Sequence, residues 1–156
     1  MIEKIKLLLG RYILHKKLNE NKITSFKNFF TDSADYFIIL PEDDESFKNS
    51  LTVVQFLLDL HKNITLFVVD FRKNLIPDNT KHKIVSFEAV QKSKLNLPKQ
   101  ELIEQINKYP YDIVIDLNRG NNIFYSAIAI FVKSKYRVGF NKEYAELYYN
   151  FLVLND

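Results

Sequence analysis

Short, unbroken apolar runs recur along the sequence, and helix-length segments separate them. Residues 35–40 (DYFIIL), 64–69 (ITLFVV), 83–87 (KIVSF), 111–116 (YDIVID) and 136–140 (YRVGF) show continuous rather than alternating hydrophobicity. A strand that is apolar at nearly every position is buried on both faces, as in a parallel sheet covered by helices. The intervening segments supply those helices. Residues 46–61 put Leu51, Val54, Leu57, Leu58 and Leu60 on one face, and residues 98–107 begin with a proline suited to a first turn. Residues 121–133 and 142–154 read as further helices, and 71–82 as a polar loop turning at Pro77-Asp78-Asn79. The expected architecture is α/β, a single doubly wound, mostly parallel Rossmann-like sheet of about five strands flanked by helices. An amphipathic helix over residues 1–20 and a connector over 21–34 precede this domain, which spans 35–156.

The charge is unevenly distributed. Of a formal net +3, residues 1–17 hold +4, from Lys4, Lys6, Arg11, Lys16 and Lys17 against Glu3, which leaves −1 for the rest. In that segment Ile2, Ile5, Leu8, Leu9, Tyr12 and Ile13 recur at helical spacing. A helix of this kind packs on its own domain, lies on an anionic membrane, or docks on a protein or RNA partner. The overall charge is too small to mark a nucleic-acid binder. The absence of cysteine removes disulfides and thiolate chemistry and suits a reducing compartment. The start carries no secretion leader and no run reaches the roughly 18–20 apolar residues that span a bilayer. A cytoplasmic protein is therefore expected, peripheral to the inner membrane where residues 1–17 touch lipid. The segment 142–154 leaves almost no polar face, so it is expected either beneath the N-terminal helix or against another chain. The interface candidates are Ile5, Leu9 and Tyr12 at one end and Tyr144, Tyr148 and Phe151 at the other.

An open parallel sheet binds ligands beyond the carboxyl ends of its strands, where strand order reverses. With order 3-2-1-4-5, two loops line that crevice: 41–46 (PEDDES) and 117–122 (LNRGNN). The first holds Glu42, Asp43, Asp44 and Glu45, any of which can act as a general base, with crowding expected to raise at least one pKa. Asp44, Glu45 and Ser46 equally suit the first turn of a helix. In the second loop Asn118, Arg119, Asn121 and Asn122 offer hydrogen bonds to a sugar or phosphate, and equally serve turn geometry. The first loop lacks the glycines of a dinucleotide site and no P-loop occurs, so no cofactor is expected. The three histidines lie far apart and no metal site is expected, while Ser126 lacks a nucleophile elbow.

The words YDIVIDL at 111–117, SAIA at 126–129 and KYRVGF at 135–140, followed by YYN at 148–150, resemble the N-terminal domain of bacterial heptosyltransferases. These are the family-nine glycosyltransferases of lipopolysaccharide assembly. The resemblance covers residues 35–153 in element order and is sharp over 111–140. It implies the acceptor-side domain of a GT-B fold, with Asp43 or Asp44 matching the family's proposed base by position. An acidic residue stands where the family has the glycine before that base, and the donor-binding second domain has no counterpart in these residues. The function expected is a glycosyltransferase-like domain without its donor half, a non-catalytic binding or scaffold subunit of a larger assembly. The alternative is the acceptor-binding half of a split enzyme that works with a separate donor-binding chain. In both readings another protein chain docks on the terminal helices.

Overall fold

A computed structural model describes residues 2–18, 25–77 and 81–154. The sheet is parallel throughout and has six strands: β1 (Asp35–Ile39), β2 (Asn63–Val69), β3 (His82–Phe87), β4 (Tyr111–Asp116), β5 (Ser134–Phe140) and β6 (Phe151–Val153). Their order, β3-β2-β1-β4-β5-β6, is the doubly wound arrangement with one strand more than expected. Order reverses between β1 and β4, where Tyr36 pairs with Ile113 and Ile39 with Asp116. Residues along β1 go alternately to two cores, Tyr36 and Ile38 to one, Phe37 and Ile39 to the other, and all are fully buried. Burial on both sides is what an unbroken apolar run requires.

Helix α3 (Asp44–Asp59) covers the first core through Phe47, Val54, Leu57 and Leu58. The opposite core is covered by α4 (Gln100–Ile106) and α5 (Ile123–Phe131), with α1 (Ile2–Leu18) laid over α5. Sandwiched in this way, α5 buries every residue from Ile123 to Ile130. A chain of rings, Phe37, Phe67, Phe87 and Phe124, runs through this layer, with Phe67 stacked on Phe87 at 4.8 Å. A short helix α2 (Phe29–Asp32) leads into β1, and its Phe30 and Thr31 carbonyls accept from Lys62 Nζ.

Four local expectations are corrected. Residues 142–154 form no α-helix but a 3₁₀ turn at Ala145–Leu147 and then β6. Tyr144 adopts φ 62°, a left-handed conformation that stops a helix, and Asn150 pairs with both backbone groups of Arg137 to start β6 on the sheet edge. Part of the loop 71–82 is likewise a 3₁₀ segment, Asp70–Leu75, holding a buried Arg72. Pro98 precedes the cap residue Lys99 of α4 instead of opening its first turn.

The fourth correction concerns α1. The stripe Ile5, Leu8, Leu9, Tyr12 and Ile13 faces outward, 42–70% exposed, whereas Leu14 is fully buried and Leu7, Gly10 and Leu18 lie beside it. Gly10 permits this seating because a Cβ there would stand 3.0 Å from Ile123 Cδ1. The helix packs on its own domain, but by the face opposite the one its hydropathy favours. The side chain of Ile2, the connector residues 19–24 and residues 78–80 of the expected turn lie outside the described residues.

Candidate functional site

The crevice beyond β1 and β4 is bounded by the two loops that topology selects. Starting α3 at Asp44 makes Asp43 its N-cap, and the carboxylate accepts the Ser46 N–H at 2.8 Å. That bond holds the Asp43 carboxyl below the usual carboxylate range, opposite to the rise expected from crowding, because accepting the helix N–H stabilises its charged form. Asp44 accepts from Arg72 Nη2 at 2.7 Å. Glu42 accepts from the Tyr125 hydroxyl and from Lys92 Nζ, which sits 4.4 Å from the Phe124 ring centre. Glu45 alone of the four lines the cavity at the mouth of the crevice, about 300 Å³, together with Ser46, Asn49, Arg119 and Phe140. Asp43 thus caps the helix, and Glu45 faces the open space.

The second loop divides similarly. Asn118 is buried and donates its backbone N–H and Nδ2 to Asp116 Oδ1, at 3.0 and 2.8 Å. Asn122 caps α5 by accepting from the Phe124 N–H, and Asn121 Nδ2 reaches Glu143 at 3.4 Å. Arg119 is the one of these four residues that lines the cavity, its guanidinium 5.1 Å from the Phe140 ring centre. Beneath the loop lies a network that sequence reasoning missed. Asp116, at the end of β4, accepts from the Tyr149 hydroxyl and from Lys142 Nζ at 3.1 Å, while Ser126 Oγ lies 3.1 Å from the Tyr149 oxygen. The signal was an acid closing a strand buried on both faces, since a buried charge requires partners.

Among the interface candidates, Ile5, Leu9 and Tyr12 are exposed, and Tyr144 and Phe151 are 39% and 40% exposed. Tyr148, in the β5–β6 connection, is not a surface residue; it is buried in the core cluster that also holds Leu14 of α1. Phe151 packs on Phe29 with ring centres 5.1 Å apart. Among the described residues no three of His, Asp and Glu gather into a metal-holding group.

Buried tyrosines give the site a pH dependence. Burial pushes the Tyr36 phenol up to about 12 and raises Tyr111, Tyr125, Tyr148 and Tyr149 as well, aided by Glu42 at Tyr125 and by the charge of Asp116 at Tyr149. A raised pKa means that the fold keeps a proton which the unfolded chain releases. The stabilisation is complete below the ordinary value of 10.0 and is lost as pH climbs toward the folded values. Tyrosinate absorbance is therefore expected to include a cooperative step that coincides with loss of far-ultraviolet circular dichroism in the alkaline range. Smooth ionisation of all the tyrosines with the dichroism intact would contradict this.

No family model, curated protein or solved structure matches the chain.

Proposed function

We propose that this chain is a glycosyltransferase-like domain of the acceptor-side kind, which binds a small polar ligand of sugar type without catalysing its transfer. It serves as a binding or scaffold subunit of a larger assembly. One observation carries this reading: both aspartates matched to the base are occupied, Asp43 with the α3 N-terminus and Asp44 with Arg72, while the cavity presents Arg119, Phe140, Ser46 and Asn49. An aromatic face flanked by hydroxyl, amide and guanidinium donors is a surface to which a sugar ring can stack and hydrogen-bond. The doubly wound order supports the site's position at the switch point.

Ligand-observed NMR with a panel of mono- and disaccharides is expected to detect binding that Arg119→Ala removes, and incubation with nucleotide-sugars is expected to give no transfer. Robust turnover by the chain alone would sink the proposal. Glu45 favours a second reading, the acceptor-binding half of a split transferase, because it is the carboxylate that faces the cavity. In that case Glu45→Gln abolishes activity of the chain mixed with its donor-binding partner, and Asp43→Asn leaves it largely intact.

A further inference from the structure

Helix α1 carries two apolar faces, and the fold uses only one of them. Leu14 is fully buried, Gly10 seats against Ile123, and the Arg11 guanidinium lies 3.8 Å from the Tyr144 ring centre. These contacts hold the helix. At 100° per residue, Ile5, Leu8, Leu9, Tyr12 and Ile13 then form one outward stripe on the opposite side, with Lys16 near its end. Lys4 and His15 flank it along one edge, Lys6 and Lys17 along the other, all exposed. Because α1 lies over α5, the stripe is the crest of the domain's outermost layer, a ridge about 12 Å long from Ile5 to Ile13.

We propose that α1 is a peripheral membrane anchor, laying this stripe into the headgroup boundary of an anionic lipid bilayer. The inference is independent of the ligand reading above. An apolar centre between lysine edges is the pattern of a helix lying in the plane of a bilayer, where hydrocarbon takes the stripe and anionic headgroups take the lysines. A second observation supports an anionic lipid. Lys4, Lys6 and Lys94 line an open groove of about 470 Å³ at the N-terminal half of α1, with Glu3 the one acid among them, so that flank of the helix stays cationic toward an anionic headgroup. Charge complementarity disfavours the other occupants. A second copy would bring +4 against +4, since Glu3 is the lone acid in residues 1–17. A nucleic acid satisfies the lysines but leaves the stripe in water. No described helix is long and apolar enough to cross a membrane, so the contact is on the surface.

The sequence has no tryptophan, so Tyr12→Trp places a single reporter on the stripe at a position 70% exposed. With vesicles of phosphatidylcholine and phosphatidylglycerol this variant is expected to co-sediment and its emission to shift to the blue, with neither effect on phosphatidylcholine alone. Ile5→Ser with Leu9→Ser is expected to weaken partitioning about tenfold or more at an unchanged melting temperature, because those side chains do not contribute to the core. Lys4→Ser with Lys6→Ser weakens it likewise, and salt weakens it further. Absence of binding overturns the proposal. So does binding without the blue shift, which would place the lipid on some other basic surface. A soluble dimer, or a stable complex with an acidic protein, that is lost in the Ile5/Leu9 variant would assign the stripe to that occupant instead and overturn it as well.

Discussion

Replacing Lys142 by methionine is expected to destabilise the fold by about 3–5 kcal/mol, the range for removing one partner of a buried ion pair. The side chains of Lys142 and Asp116 are 4% and 0% exposed, with Nζ 3.1 Å from Oδ2. The ammonium also donates to the Asn118 carbonyl at 2.9 Å, fastening the second crevice loop to the segment after β5. Without it, the Asp116 carboxylate stays in a dry site with only neutral donors, the Tyr149 hydroxyl and the Asn118 amides. Methionine keeps much of the lysine stem, so the loss reports the charge more than a cavity. Denaturant unfolding with an unchanged m-value measures it. Adding Asp116→Asn is expected to return a large part of the loss, because the double variant buries no unpaired charge. Strict additivity of the two substitutions would show that the pair is not coupled.

The sheet was legible because its central strands are buried twice over. A run such as FIIL in β1 has no polar alternation to confuse with a surface strand, and the strand–helix spacing allows little besides a doubly wound order. β6 was not legible, since the spacing of apolar residues in YYNFLVL fits a helix as well as an edge strand. What decides it is tertiary: the left-handed Tyr144 and the Asn150 bonds to Arg137, a residue distant in sequence. On α1, hydropathy selects the broader stripe, whereas the buried seam runs through Gly10, a residue that hydropathy scores as nothing and packing values for its size. The crevice followed from topology, yet the carboxylate facing it depended on helix phase. With α3 beginning at Asp44 instead of Ser46, Asp43 becomes the cap and Glu45 turns toward Arg119. Arg72 and Tyr125, which occupy Asp44 and Glu42, come from 28 and 83 residues away and leave no local trace.

Gly139→Ala is expected to cost about 2–3 kcal/mol, in the upper part of the range for overpacking a tight core. A Cβ at this position in β5 would stand 2.7 Å from Cγ, Cδ1 and Cε1 of the Tyr149 ring, closer than carbon atoms approach without displacement. Gly139 does not adopt a positive φ, so the penalty is steric and alanine would otherwise favour the strand. The ring cannot retreat. It is 4% exposed, and its hydroxyl is held between Asp116 and Ser126. Retreat would pull that hydroxyl from the Asp116 carboxylate and weaken the same cluster that Lys142 completes. The glycine of the RVGF word is therefore explained by the tyrosine of the YYN word that follows it. In a Tyr149→Ala background the clash has no partner, and Gly139→Ala is expected to become neutral or slightly stabilising. Thermal unfolding of the four members of this cycle tests the point. An equal cost of Gly139→Ala with and without the ring would place the constraint in the β5 backbone and separate the glycine from the Asp116 network.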